Sequence, residues 1–391
     1  MSKRISPALS RRNFLAHAAS AGSAMLLSPA WLRAIADASD PRLAQVLSKT
    51  IAIDMHNHVY PTGTEPHPQH GPGPQGPPSQ EQPSLPLGEA LKHSGLTAVC
   101  AAITIDFAPN KKPGDARDYF LHWLDALDRE LDNAHIHRAL TLHDLETAHT
   151  RQKPTIIQST EGAHFLEGHI ERLEEVYKRG LRHLQPLHDR DDLVAPLGDV
   201  ITNPPHLGGL TPLGAEVIQE CNRLGILVDM AHASPETMLG ALKVAKHPIL
   251  VSHTNLDTWT GKDLRMVQMM KPHLISKEHA KVVADAGGVV GVWTHLTSSP
   301  EEFVESIKTM TDAIGADHVG IGTDTDLLNP RNGTDHAWPG FTGSIFPAVA
   351  SEMLHQGFTP EEIAKIGGGN YCRLFGQATA GHSDESLTTN H

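Results

Sequence analysis

Ionisable residues close a series of short apolar runs in this sequence, and their types suit the binding of metal ions. His56 and His58 end the first run, Glu161 ends the third, and His232 and His253 end the fifth and sixth. Neutral imidazoles and carboxylates are common ligands of divalent cations, whereas burying this many ionisable groups without a compensating charge would be costly. The set therefore indicates a site for two divalent cations, and hydrolysis is the natural chemistry of such a pair.

Two further ionisable residues follow the same pattern, because His188 closes the fourth run and Asp324 the eighth. A lone histidine after an apolar strand is usually a hydrogen-bonded structural residue. Seven ionisable groups at the ends of six different runs favour a shared site instead, provided that the fold brings those ends together.

Eight apolar, β-branched runs recur beyond residue 50, and each predicts a strand. They are Ile51–Asp54, Leu96–Thr104, Thr155–Gln158, Leu181–Leu187, Gly225–Met230, Pro248–Ser252, Gly287–Trp293 and His318–Gly322. Helix-length segments lie between them, with start signals such as Ser234-Pro235-Glu236, in which serine caps the helix and proline takes its first position. Apolar strands that alternate with helices predict a parallel sheet, and eight such units predict a closed (β/α)8 TIM barrel.

A doubly wound open sheet is the alternative fold. It normally carries a glycine-rich phosphate-binding turn after an early strand, and no such turn follows Ile51 to His56. In a TIM barrel the active site is built at the C-terminal ends of the strands. The barrel therefore predicts that the seven ionisable residues meet at one rim.

The chain divides into a leader, one domain and a short tail. Residues 1–36 carry five basic residues, including Arg11 and Arg12, and no acidic one, so residues 1–38 are predicted to be a twin-arginine signal peptide. Residues 39–376 form the predicted barrel, with a Pro/Gly-rich loop insertion at 61–87, and 377–391 form a polar tail. The expected location is the periplasm or the cell exterior, without a transmembrane anchor after leader removal.

The composition excludes several classes of protein. A 39% hydrophobic fraction over 391 residues is enough for one large core. With 32 basic against 45 acidic residues, the net charge of −13 argues against nucleic-acid binding. The three cysteines, Cys100, Cys221 and Cys372, are widely spaced, so neither a disulfide framework nor a thiolate zinc site is expected, although one bridge is left open.

Several motifs resemble those of one known family, the membrane (renal-type) dipeptidases, metallopeptidase family M19, within the amidohydrolase-like barrels. The resemblance runs from about Thr50 to Phe375. Glu161-Gly162 precedes His188 by 27 residues, and His232 precedes His253 by 21. The other segments that carry it are Asn222–Ser234, Gly320–Asp326 and Gly368–Phe375.

The resemblance implies a role for each site residue and two Zn²⁺ ions per chain. His56, with His58 beside it, would bind one zinc, Glu161 would bridge both, and His232 and His253 would bind the second. His188 would contact the scissile carbonyl, while Asp324 would handle protons. A hydroxide shared by the two ions would then cleave the amide bond of a small dipeptide. The family's dimers make a homodimer plausible.

The sequence departs from the family in two places, which leaves other functions open. The family's first motif is His-Asn-Asp, whereas this chain has His56-Asn57-His58. The family's arginine for the substrate carboxylate has no certain counterpart, and Arg265 is the candidate. The alternative substrates are a lactone, a cyclic amide or another N-acyl compound. A periplasmic metal-binding protein is the non-enzyme alternative, although a pure binder would not need Asp324.

Overall fold

The computed structural model describes residues 40–64, 85–107, 112–190, 192, 194–262, 264–329 and 333–382. The predicted signal peptide and most of the predicted loop at 61–87 lie outside these residues. The predicted tail begins inside a helix that continues to Thr379, and its last residues also lie outside. Within the described residues, no helix is both long and apolar enough to cross a membrane.

Each of the eight predicted runs overlaps a strand, and β1, β3 and β6 extend beyond the predicted ends. The strands are β1 Ile53–His58, β2 Ala98–Ala102, β3 Thr155–Glu161, β4 Leu181–Gln185, β5 Leu227–Val228, β6 Leu250–Thr254, β7 Val289–Val292 and β8 Val319–Ile321. All neighbours pair in parallel, in the orders β1-β2-β3-β4-β5 and β6-β7-β8. Parallel bridges between Asp229 and Leu250 and between His58 and Asp326 join the two sheets. The prediction of a (β/α)8 barrel is confirmed.

One helix precedes the first strand, and the others lie between and after the strands. They are α1 Pro41–Lys49, α2 Leu87–Ser94, α3 Asp115–Ala134, α4 Leu142–Arg151, α5 Arg172–Lys178, α6 Pro212–Leu224, α7 Pro235–Val244, α8 Leu264–Met270, α9 Lys277–Asp285, α10 Pro300–Ile314, α11 Ile345–His355, α12 Pro360–Ala364 and α13 Asn370–Thr379. Four of them, α6, α7, α10 and α12, begin with a Ser or Thr cap followed by Pro. Such caps satisfy backbone N–H groups that the first helical turn leaves unpaired.

Helix α13 closes the N-terminal end of the barrel. Its Tyr371 and Phe375 share an apolar cluster with the first residues of five strands, which are Ile53, Ala98, Leu227, Leu250 and Val289. All of these side chains are almost fully buried. Burying an aromatic or branched aliphatic side chain stabilises the fold by roughly 1.5–3 kcal/mol. These side chains therefore fill and stabilise the N-terminal end of the barrel. The polar strand ends lie at the opposite rim.

Two of the three cysteines, Cys100 and Cys372, lie in the apolar cluster at the N-terminal end of the barrel, and Cys221 lies in the larger core cluster. Cys100, Cys221 and Cys372 are all buried and all have free thiols. The bridge that the sequence left open is therefore not formed.

Candidate metal centre

The predicted site residues lie in or directly after the strands, at the C-terminal rim. His56 and His58 belong to β1, Glu161 is the last residue of β3, and His253 belongs to β6. The remaining three, His188, His232 and Asp324, follow β4, β5 and β8 within a few residues. Arg265 differs from them, since it lies on α8 with its side chain exposed.

Glu161 is the centre of the cluster. Its Oε1 lies 3.5–3.6 Å from the Nε2 atoms of four imidazoles, those of His56, His188, His232 and His253. Its Oε2 accepts a hydrogen bond from Thr104 Oγ1 at 2.7 Å. Burial opposes the charge of Glu161, but the imidazoles, His188 foremost, hold its pKa below the usual value. The carboxylate is therefore ionised and surrounded by nitrogens that it does not hydrogen-bond.

A sharp turn directs the chain away from Glu161. Gly162 has a φ of +85°, and a Cβ atom there would lie 2.8 Å from His164 Nδ1. Only glycine adopts this conformation without strain and leaves room for the His164 ring. The Glu161-Gly162 pair thus places the carboxylate at the strand end.

Three imidazoles, those of His188, His232 and His253, have a polar partner at Nδ1, while their Nε2 atoms face Glu161. We call these three residues the braced side. The Nδ1 of His188 donates to Asp106 at 2.8 Å, and the Nδ1 of His232 donates to Asp189 at 2.9 Å. The Nδ1 of His253 lies 2.8 Å from the hydroxyl of Ser252. Such contacts fix the ring and leave Nε2 aimed forward, an arrangement typical of metal-ligating histidines.

The braced imidazoles do not all carry the same charge. Burial works against the charge of His188, but Glu161 and Asp106 raise its pKa to about 10, so both ring nitrogens hold protons. Burial lowers the pKa of His253 far below its usual value. His253 is therefore neutral, whereas His188 is a cationic hydrogen-bond donor.

The two histidines of β1, which we call the open side, differ from the braced side because His56 has no such support. His56 is fully buried, and neither of its ring nitrogens has a hydrogen-bond partner among the described residues. Burial lowers its pKa to about 4, so it is neutral. His58 Nε2 lies 3.0 Å from Asp324 Oδ1, and its Nδ1 lies 3.4 Å from the hydroxyls of Tyr60 and Thr104.

Asn57 explains why both histidines of the first motif reach the rim. The pairing of β1 with β2 shifts register between Asp54 and Asn57. The Nδ2 atom of Asn57 lies within 3.2 Å of four oxygens, which belong to Asp54, Thr323, Thr325 and Thr334. This amide ties the irregular end of β1 to the segment that follows β8.

Asp324 faces the open side from the end of β8. One oxygen, Oδ1, lies near His58 and 3.7 Å from His56 Nε2, while Oδ2 lies 2.7 Å from His295 Nε2. Burial opposes its charge, but His295 and His253 hold its pKa well below the usual value, so Asp324 is a carboxylate. Asp324 and His232 both have positive φ, +56° and +63°, a strained conformation that clusters at functional sites.

The cluster fits divalent cations. In the described part of the chain, sets of three residues place one ligand atom each within 4.8 Å of one another, including His56-His58-Asp324, His56-Glu161-His253 and Glu161-His188-His232. His232 Nε2 and His253 Nε2 lie only 2.9 Å apart, a spacing that suits two lone pairs on one cation. His56 Nε2, which faces Glu161 and has no hydrogen-bond partner among the described residues, can give its lone pair to a cation.

The sequence reasoning missed four residues of the site. Asp106 and Asp189 brace His188 and His232, His295 contacts Asp324, and His273 Nδ1 lies 3.4 Å from Asp189 Oδ1. Three of them had a local signal. Asp189 directly follows His188, and Asp106 and His295 each come two residues after a predicted strand.

The comparisons with known proteins agree with this architecture. The chain matches the membrane dipeptidase family, peptidase family M19, over residues 42–388, and it belongs to that family. Dipeptidase verJ of Clonostachys rogersoniana is 27% identical over 222 residues, which are 55% of this chain and 53% of that protein. The chain thus spans about half the length of this curated relative.

Solved structures share the fold. The crystal structure of an amidohydrolase from Pseudomonas aeruginosa has a TM-score of 0.67 and 20% identity, covering 86% of this chain and 98% of that one. A metallopeptidase from Rhodobacter sphaeroides, solved with a phosphinate mimic of the dipeptide L-Ala-D-Ala, has a TM-score of 0.62 and 19% identity, covering 83% and 99%. Together with the family match, they confirm the predicted family resemblance and fold.

Proposed function

We propose that this protein is a metallo-dipeptidase that uses two zinc ions to hydrolyse the amide bond of a small dipeptide. The observation that carries the proposal is the ring of four imidazole Nε2 atoms 3.5–3.6 Å from Glu161 Oε1. The ionised Asp324 faces the same space. Membership of the membrane dipeptidase family and the name of the curated relative support the same activity.

Five residues would hold the ions. His56 and His58 would bind one, His232 and His253 the other, and Glu161 would be shared. Zinc accepts imidazole nitrogen and carboxylate oxygen in such sets. When bound, a pair of divalent cations lowers the pKa of water and polarises a carbonyl oxygen.

The chain's own residues supply the remaining chemistry. His188 donates a hydrogen bond from Nε2 to the carbonyl oxygen, and losing a donor of this kind costs about 2.7–4 kcal/mol. Water attacks the carbonyl carbon, and its proton passes to Asp324 Oδ1. The C–N bond breaks as Asp324 returns that proton to the amine nitrogen, which leaves a free carboxylic acid and an amine.

A second substrate class has its own support. Arg265, the candidate for binding the substrate's carboxylate, lies on α8 with its side chain exposed. His58 also stands where the family has an aspartate, which makes the ion site one unit more positive. The exposure of Arg265 favours a substrate without a free carboxylate, such as a lactone, a cyclic amide or another N-acyl compound, and the altered first motif departs from the dipeptidase pattern in the same site.

Zinc content and hydrolysis, measured on one sample before and after chelation, test the proposal. We expect about two zincs per chain and cleavage of L-L or L-D dipeptides that stops on chelation. Two zincs with cleavage only of lactones or N-acyl compounds would select the second substrate class. Zinc without any hydrolysis would identify a metal-binding protein and overturn the proposed enzyme.

We also propose export by the twin-arginine route and a homodimeric state. The first rests on the basic, twin-arginine character of residues 1–36, and the second on the family alone. Fractionation of cells that carry Arg11→Lys/Arg12→Lys tests the export route, with retention in the cytoplasm as the expected result.

A further inference from the structure

We infer that His295 is a positioning residue for Asp324. Its ring holds the carboxylate so that Oδ1 faces the imidazoles of β1. The inference rests on the proposed function, because it assigns this orientation to the proton transfer of amide hydrolysis. His295 also adds β7 to the rim, one of the two strand ends, with that of β2, to which the sequence assigned no ionisable residue.

The two oxygens of Asp324 have different partners. Oδ1 lies 3.0 Å from His58 Nε2 and 3.7 Å from His56 Nε2. Oδ2 lies 2.7 Å from His295 Nε2, its sole side-chain partner among the described residues. At this distance the two atoms form a hydrogen bond, in which the imidazole N–H donates and the carboxylate oxygen accepts.

Metal binding makes the contact with His295 more important. A histidine that ligates a cation does so with an unprotonated nitrogen. Once His58 Nε2 faces an ion in this way, it has no proton to donate to Asp324 Oδ1. The hydrogen bond from His295 then remains to fix the rotation of the carboxylate.

The segment around His295 is anchored to the segment that carries Asp324. The backbone N–H and the hydroxyl of Thr294 both donate to the carbonyl oxygen of Thr323, at 3.2 and 2.9 Å. The His295 ring lies edge-on to the buried Trp293, with ring centroids 5.1 Å apart and planes at 77°. The side chain of His295 is nevertheless about one third exposed (33%), so it borders the open mouth of the site without being part of the core.

Two substitutions test the aromatic ring of His295 and its N–H donor separately. His295→Phe keeps a ring against Trp293 but lacks the N–H, whereas His295→Gln replaces the ring with a neutral N–H donor. His143→Ala, at a position 84% exposed on α4, is the control. The measurements are kcat and KM for the best dipeptide, zinc content, and the orientation of Asp324 in crystal structures of the zinc-loaded proteins.

We expect His295→Phe to lower kcat by roughly 10–100-fold, the usual range for residues that orient catalytic or ligating groups. KM should change by less than about threefold and zinc content should stay constant, because the contact acts in the transition state and not in substrate binding. The Asp324 carboxylate should be rotated or occupy two orientations. His295→Gln should recover most of kcat, and His143→Ala should match the wild type.

Three results would overturn the inference. They are an unchanged kcat in His295→Phe, a raised KM at constant kcat, and an unmoved Asp324 carboxylate. Should His295→Phe fail to fold, His295→Ala takes its place under the same criteria. If the wild type hydrolyses no substrate, the proposed function fails, but the orientation of Asp324 in the crystal structures still decides the role of His295.

Discussion

The braced and open sides of the metal centre differ in how their imidazoles are held. On the braced side, His188 and His232 donate from Nδ1 to Asp106 and Asp189, and His253 contacts Ser252. On the open side, His56 is equally buried but has no hydrogen-bond partner among the described residues. The chain therefore preorganises one half of the site and leaves the other half for a ligand to complete.

This difference has an energetic meaning. A buried polar atom without a partner costs about 1–3 kcal/mol, and His56 has two. A cation bound by His56 Nε2 would offset the cost at that nitrogen on the open side. On the braced side, the same cost arises only when a bracing partner is removed. Substitutions on the two sides should therefore have different consequences.

The largest effect is expected at Glu161, which faces both sides. Glu161→Gln removes the negative charge that two cations would share, so the protein should lose its zinc and its hydrolysis should fall to the level of the chelated enzyme. Zinc analysis and dipeptide assays check both outcomes. Full zinc content with full activity in this variant would refute a shared carboxylate.

Asp324→Asn should reduce turnover without emptying the site. The amide keeps the shape of the carboxylate but cannot accept a proton, and the loss of a general acid–base group typically lowers the rate by 10²–10⁴-fold. Zinc content should remain at the wild-type level because His56, His58 and Glu161 are intact. A variant that lost one zinc would reassign Asp324 as a required ligand of the open side.

Asp189→Asn tests the bracing of His232. The weaker acceptor should loosen one ion only, by roughly 10–100-fold in affinity, and competition with a chelator measures this. Asp285→Asn is the matched control, since Asp285 is 67% exposed on α9. Equal loosening of both ions would contradict a separate braced side.

The smallest effects are expected in the stability of the metal-free protein. Substitutions on the two sides should change its free energy of unfolding differently. His56→Phe removes unpartnered nitrogens and should leave the free energy of unfolding unchanged or slightly raised. His188→Phe removes the imidazole donor to the buried Asp106, which keeps only the backbone N–H of Arg190 among the described residues, and should lower the free energy of unfolding by about 1–3 kcal/mol. Urea unfolding of the chelated proteins measures both, and equal destabilisation would remove the distinction between the sides.

The sequence predicted the strands better than their ends. All eight apolar runs overlap strands. A strand that is buried on both faces has a continuous run of apolar, β-branched residues, which can be recognised in the sequence. β1 nevertheless continues through His58, since the contacts of Asn57 hold an irregular strand end that periodicity does not reveal. β5 is reduced to Leu227–Val228, because the chain leaves the sheet for the positive-φ turn at His232.

The imidazoles of the site were predictable because the barrel places every strand end at one rim. The bracing partners were harder to predict. Asp106 and His188 are 82 residues apart and meet only because β2 and β4 end on the same side. His295 follows a predicted strand, but its role depends on the contact with Asp324. The sequence does not reveal the register between β7 and β8 that brings the two residues together.

The most direct test of a carboxylate shared between two cations is anomalous diffraction at the zinc edge from crystals of the zinc-loaded protein. We expect two peaks beside Glu161, one next to His56 and His58 and the other next to His232 and His253. A single peak, or peaks that Glu161 does not contact, would contradict the two-ion site on which the proposed hydrolysis depends.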